Sequence, residues 1–276
     1  MTATPQSTTG YLDVNGGQIY YEVLGEGHPL VLVHAGVADS TMWDDQFGEF
    51  ANHYRVIRYD TRAFGKSRTE DVEFSNRQDL HELLNHLAVD KAFLIGVSRG
   101  GQIVVDYTLE HPEKVAAVVP VAAGLSGLNA EPTEQEKAYF NEMEAAFEKD
   151  DFERAAELDV QVWADGPGQP AGRAPEQVRE RVRQMCLNTY RTHIIEGKPV
   201  PMEPPAAGRL GEIKVPTLVI VGDLDTSGVE EACKILARDI KGAEKVVIPG
   251  TAHMVPMEKP AEFNKAVLDF LSRIAI

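Results

Sequence analysis

The chain has 276 residues, 43% of them hydrophobic and 25% charged, with a formal net charge of -16. That length buries a sizeable core in one or two domains, and the composition is that of an ordinary soluble globular protein. The acidity disfavours nucleic acid and anionic membranes, which demand clustered Lys and Arg, and its plainest reading is solubility.

Residues Met1 to Gly10 are polar and lack the basic start and apolar core of a signal peptide. No apolar run approaches the ~18 residues that span a bilayer, so a cytoplasmic protein without membrane or nucleic-acid partners is expected. Tyr11-Leu12-Asp13-Val14 and Gln18 to Val23 read as two strands around the hairpin signal Asn15-Gly16-Gly17. Pro29 to Val33 is wholly apolar, as in a parallel sheet covered on both faces. Tyr54 to Tyr59 is another strand and Asp79 to Leu87 an amphipathic helix. Strand Lys91 to Ile95, helix Gln102 to Glu110 and strand Val115 to Val121 follow. This alternation is the pattern of an α/β protein with a mostly parallel central sheet and helices on both faces.

The character changes after Gly124. Helical segments Glu134 to Lys149, Phe152 to Trp163 and Glu176 to Ile195 are separated by the loop Asp165-Gly166-Pro167-Gly168-Gln169-Pro170, and the stretch Lys198 to Gly208 marks a boundary. Strand Thr217 to Val221, helix Gly228 to Ile240, strand Lys245 to Ile248 and helix Ala261 to Ile274 then restore the alternation. The chain therefore divides into a core, 1–124 and 210–276, and a helical cap, 125–209, since long insertions at such loops often carry function. Cys186 and Cys233, both in helix-like segments, build neither a zinc pattern nor a disulfide framework.

Gly96-Val97-Ser98-Arg99-Gly100 stands where a strand turns into a helix. Glycine tolerates the crowding of such a turn, which holds a hydroxyl at the tip of the sheet beside the N–H groups of a helix start. A serine hydroxyl needs a base, and the base an orienting acid. Of eight histidines, His253 lies directly after the strand ending at Ile248, at the sheet edge where α/β proteins gather ligands. Asp223 and Asp225 follow the strand ending at Val221, and either is a turn former or the acid.

Serine, acid and histidine in this order resemble the α/β-hydrolase superfamily, of the kind with a helical cap, from Tyr11 to Ile276. The resemblance implies Ser98 as nucleophile, His253 as base and Asp225 as acid, with Asp223 a turn residue. It implies an oxyanion hole from the N–H groups of Gly36 and Arg99. His34 then holds the loop His34-Ala35-Gly36-Val37, in which Ala35 replaces the usual glycine; Ala63 does so in the loop Arg58 to Ser67. Val37, Trp43, Phe140, Trp163 and Met254 are candidates to line the substrate pocket, as are Met143, Phe147, Met185 and Tyr190, though helical spacing suits them equally to packing.

The activity implied is hydrolysis of small carboxylic esters through an acyl-enzyme, with no metal or organic cofactor. A small-molecule ester or lactone is the expected partner, and homo-oligomerisation stays open. Tyr59-Asp60-Thr61-Arg62 resembles the branch that opens oxoadipate enol-lactone, so lactonase is an alternative, beside cofactor-free haloperoxidase or perhydrolase activity. Ser98 in place of an aspartate argues against haloalkane dehalogenase and epoxide hydrolase chemistry. A ligand receptor or signalling protein on the same fold is the non-enzymatic alternative.

Overall fold

A computed structural model describes residues 7–193, 195 and 197–275. β1 (Thr8–Val14) and β2 (Gly17–Leu24) form the expected hairpin, with Val14 opposite Gly17 across Asn15-Gly16. β1 starts three positions earlier than the side-chain pattern suggests, because ladder pairing satisfies backbone groups whatever side chain they carry. β2 runs antiparallel to β4 (Arg55–Tyr59) and joins the hairpin to the sheet.

The remaining sheet is parallel. β3 (Pro29–Val33), β7 (Ala92–Val97), β8 (Val115–Val121), β10 (Leu218–Gly222) and β11 (Glu244–Ile248) complete the order β1-β2-β4-β3-β7-β8-β10-β11. β5 (Arg68–Thr69) adds two residues beside β2. β6 (Glu73–Phe74) pairs with β9 (Lys198–Pro199) away from the main sheet, a contact between segments too short to carry a sequence period.

Side-chain alternation explains why the central strands read as unbroken apolar runs. Leu30, Leu32, Phe93, Ile95, Leu218 and Ile220 face one side, where α1 (Asp44–Phe50) and α9 (Pro260–Leu271) cover them. Val31, Val33 and Leu94 face the other, under α2 (Asn76–His86) and α3 (Arg99–Glu110). Val219 and Val221 turn to that same side and meet α7 (Ser227–Asp239). Each such side chain, fully buried, contributes about 1.5–3 kcal/mol, so both faces must be covered for the strand to stay in register.

Between β8 and β10 the chain is helical: α4 (Glu134–Phe147), α5 (Phe152–Asp159) and α6 (Glu176–Thr192). α4 opens on a capping box, with Glu136 N–H donating to the Thr133 side chain and Thr133 N–H to Glu136. α5 is shorter than its sequence pattern, passing after Asp159 into a π-helical turn, Val160–Asp165. α6 ends at Thr192, short of the expected Ile195, and Ile194 lies outside the described residues. α8 (Val255–Glu258) is a further short helix, and α9 stops at Leu271, before the expected Ile274. Among the described residues no helix is long and apolar enough to cross a membrane.

Candidate active site

The carboxyl ends of β3, β7, β10 and β11 point to one edge of the sheet, and each delivers one element of the site. β7 ends at Val97, and Ser98 follows with φ 57° and ψ -116° before α3 begins at Arg99. That left-handed backbone at a non-glycine residue is strained, and the flanking packing enforces it. A methyl on Gly96 would lie 2.2 Å from the Gly100 carbonyl oxygen, and one on Gly100 would lie 2.3 Å from that of Val33. The turn therefore closes only with glycine at both positions. Ser98 N–H donates to Val121 O at 2.9 Å, and Gly124 N–H donates to Ser98 O at 3.1 Å, tying the turn to β8. The Ser98 side chain stays partly exposed.

The loops after β10 and β11 bring the base and acid candidates together. His253 Nδ1 lies 3.0 and 2.9 Å from the two carboxylate oxygens of Asp225, and both residues are buried. Thr226 N–H also donates to Asp225 Oδ1, at 2.7 Å. Asp223 points elsewhere: it is exposed and accepts from Gly250 N–H at 2.6 Å, pinning one loop to the other. With Nδ1–H donated to Asp225, His253 presents Nε2 as an acceptor.

His34, after β3, is held on both nitrogens. Nδ1–H donates to Ala35 O at 2.7 Å, and Nε2 accepts from Thr61 N–H at 3.0 Å. Burial, with the positive charge of Arg99 nearby, pushes its pKa down to about 4, so it is neutral at ordinary pH. It holds the loop through both nitrogens. Ala35 is fully buried, and its φ is not in the left-handed region, so the loop has no need of the glycine that the resemblance implied there. Ala63 differs: its φ of 62° is the conformation glycine would adopt without strain.

Gly36 and Arg99 are neighbours, since a methyl on Gly36 would sit 3.8 Å from Arg99 Cβ. Both line a cavity of 730 Å³ between the sheet edge and the insertion, with Phe64, Phe152, Tyr190 and His193 among its walls. The Arg99 guanidinium lies 4.1 Å from the Phe64 ring centroid and donates to Thr61 Oγ1.

The pocket candidates separate. Trp43 and Met254 are wholly buried in the core, Trp43 against Phe263 of α9 at 6.1 Å between centroids. They pack the core and do not line the cavity. The wide apolar stripe between α1, α8 and α9 claims both side chains. Val37 O accepts from Cys186 Sγ of α6 at 3.4 Å, which docks the insertion on the loop after β3. Phe140 stacks on Trp163 at 6.3 Å, and Trp163 in turn meets the His253 ring at 4.6 Å. Neither is a cavity wall, whereas Phe147 and Tyr190 are.

Glu258, Arg173 and Glu136 secure the site without a local sequence signal for that role. Glu258 of α8 accepts from Ala252 N–H at 3.0 Å and pairs with Arg173, which also donates to Gly250 O at 2.7 Å. Burial raises the Glu258 pKa, opposed by Arg173. Glu136 of α4 accepts from Ser227 N–H at 2.7 Å and from its hydroxyl at 2.6 Å, two residues beyond Asp225. Asp60 accepts from Ser40 N–H at 2.7 Å and Lys66 N–H at 2.8 Å, while Arg62 pairs bidentately with Asp79 at 2.7 Å, so the charged loop Arg58 to Ser67 is a buttress. Among the described residues no group of three or more His, Cys, Asp or Glu side chains is arranged to hold a metal ion.

Known proteins share this architecture along nearly the whole chain. A 2-hydroxy-6-oxo-6-phenylhexa-2,4-dienoate hydrolase from Burkholderia cepacia is 28% identical, covering 99% of both chains. A putative non-heme chloroperoxidase from Synechocystis sp. is 27% identical over 97% of this chain and 99% of its own. The structure of a thermophilic esterase from Thermogutta terrifontis superposes with a TM-score of 0.78 at 25% identity, covering 97% of this chain and 98% of that one. The family model for the alpha/beta hydrolase fold matches residues 28–260. This chain therefore belongs to the α/β-hydrolase fold family and is a hydrolase.

Proposed function

We propose that the protein is a serine carboxylesterase in which Ser98, His253 and Asp225 act as nucleophile, base and orienting acid. The observation that carries this reading is the pairing of His253 Nδ1 with both Asp225 oxygens at the sheet edge where the strained turn presents Ser98. In the first step His253 Nε2 takes the Ser98 proton as Oγ bonds to the ester carbonyl carbon. The carbonyl oxygen becomes an oxyanion facing the N–H groups of Gly36 and Arg99; one such donor is typically worth about 3–4 kcal/mol of barrier. Collapse expels the alcohol, which receives the proton from His253. Water, deprotonated by the same nitrogen, then attacks the acyl-enzyme and releases the acid and Ser98.

The cavity beside Gly36 and Arg99 joins the aromatic walls Phe64, Phe147, Phe152 and Tyr190 to the charged Arg62, Arg191 and Asp150, and Ser98 and His253 are not among its lining residues, so it sets no acyl preference by itself. The test is turnover of p-nitrophenyl esters of graded chain length beside simple lactones, with fluorophosphonate labelling and peptide mapping. Serine-dependent ester hydrolysis lost in Ser98→Ala, and label found on Ser98, is the expected result. Absence of ester hydrolysis, or label on another residue, would overturn the serine-esterase reading.

A further inference from the structure

The helical insertion meets the imidazole of His253 through an aromatic ring. α5 begins as ordinary α-helix and after Asp159 widens into the π-helical turn Val160–Asp165. Such turns are rare and re-aim the side chains they carry, which is why they recur at functional sites. Trp163 lies in this turn, its ring centroid 4.6 Å from that of His253 with the planes at 48°. Its indole N–H donates to Asp159 Oδ1 at 3.0 Å. The second oxygen of Asp159 accepts from the Tyr190 hydroxyl of α6. Asp159 is 2% exposed and, among the described residues, has no ion-pair partner.

A carboxylate buried without a countercharge is costly, and an apolar residue would pack there more cheaply. What Asp159 does is fix one indole by a charge-assisted hydrogen bond. We propose that Trp163 is a catalytic residue, its ring face stabilising the His253 imidazolium formed during the reaction, and that Asp159 is the positioning residue that holds it there. The proposal rests on the serine-hydrolase reading. When His253 takes the serine proton it becomes a cation at a site 1% exposed. Asp225 compensates it at the Nδ1 edge. An aromatic ring within about 6 Å attracts a cation, most strongly where water is excluded. Bonding the indole N–H to a carboxylate pushes electron density into the ring and deepens that attraction. Trp163 makes and breaks no covalent bond.

The groups that titrate around this pair are Asp225, bonded to His253; Glu258, bonded to Ala252 and Arg173; and Asp159 itself, faced by Tyr190 and Cys186 of α6. Burial raises Asp159 to about 6, against the lowering effect of Tyr190 and Trp163. A pH titration must therefore separate Asp159 from His253, and substitution at each does so.

The first experiment needs no substrate. Trp43 and Trp163 are the two tryptophans, so Trp43→Phe isolates the Trp163 emission; subtracting a Trp163→Phe spectrum from the wild type gives the same signal if that variant folds poorly. An imidazolium in contact quenches indole, so acidification should lower the emission. The fall should vanish in His253→Gln and persist in Asp159→Asn. A titration unchanged by His253→Gln would overturn the contact, whatever the enzyme hydrolyses. The second experiment is kinetic, on a p-nitrophenyl ester. Trp163→Leu should lower kcat by about 2- to 30-fold, the range spanned by cation–π contacts, with KM moved less. Trp163→Phe should recover part of that loss. Asp159→Leu should lower kcat in the native background yet add less than about twofold to Trp163→Phe, which has no N–H to hold. Equal losses in both backgrounds would reject the positioning role and leave Asp159 a packing residue.

Discussion

Replacing Asp225 with asparagine exchanges one carboxylate oxygen for an amide nitrogen at a site where both oxygens are committed. Oδ1 accepts from Thr226 N–H at 2.7 Å, and both oxygens lie within 3.0 Å of His253 Nδ1. Thr226 holds the asparagine oxygen, so the amide N–H₂ faces Nδ1. Nδ1 must then give up its proton to accept from the amide, which moves the hydrogen to Nε2. A histidine protonated on Nε2 cannot take the proton of Ser98. The analogous change in serine proteases costs about 10⁴-fold in kcat, or about 5.5 kcal/mol of barrier. Asp223→Asn is the matched control: it keeps an oxygen for Gly250 N–H at an exposed position and should stay within about threefold of the parent. Steady-state hydrolysis of a p-nitrophenyl ester, with thermal melts to show that both variants fold, makes the comparison. An Asp225→Asn enzyme within tenfold of the parent, or an Asp223→Asn enzyme equally impaired, would refute the assignment of the acid.

Gly100→Ala places a methyl 2.3 Å from Val33 O and 2.6 Å from His34 O, backbone that cannot swing aside, so urea unfolding should show a loss of about 3 kcal/mol or more. An unchanged midpoint would contradict the enforced turn. Arg173→Met strands the buried Glu258 carboxylate beneath the His253 loop; about 3 kcal/mol of stability should be lost by the same assay, and Glu258→Gln on that background should return part of it. Stability against pH should show two opposing slopes. His34, pushed down to about 4 when folded, withdraws stability as pH falls from 6.5 through 4, whereas Asp159, raised to about 6, adds stability as pH falls from 6 toward 3.8. Each amounts to about 3 kcal/mol over its window. Asp159→Asn therefore removes the compensation, and its melting temperature should fall more steeply between pH 6 and 4 than that of the parent; parallel profiles would show that Asp159 does not titrate in the folded state.

Much of this protein was legible in its residues because the relevant signals are local. Unbroken apolar runs between breakers mark the central strands, and Gly96 is demanded by the Gly100 carbonyl within its own turn. The order Ser98, Asp225, His253 depends on strand ends that sequence alone can place. Gly36 and Arg99 adjoin one another. Tertiary structure decided what depends on distant partners. Asp223 and Asp225 share a loop and a residue type, and only the way that loop packs on the β11 loop sends one to Gly250 and the other to His253. Trp43 and Trp163 are both large aromatics in helical surroundings; the α1–α9 interface buries the first, and a π-helical turn brings the second to the imidazole. Arg173 and Glu258 stand 85 residues apart with nothing in either neighbourhood to announce the other. A residue's local pattern reports which face it must bury, and its chemical role is settled by what that face meets.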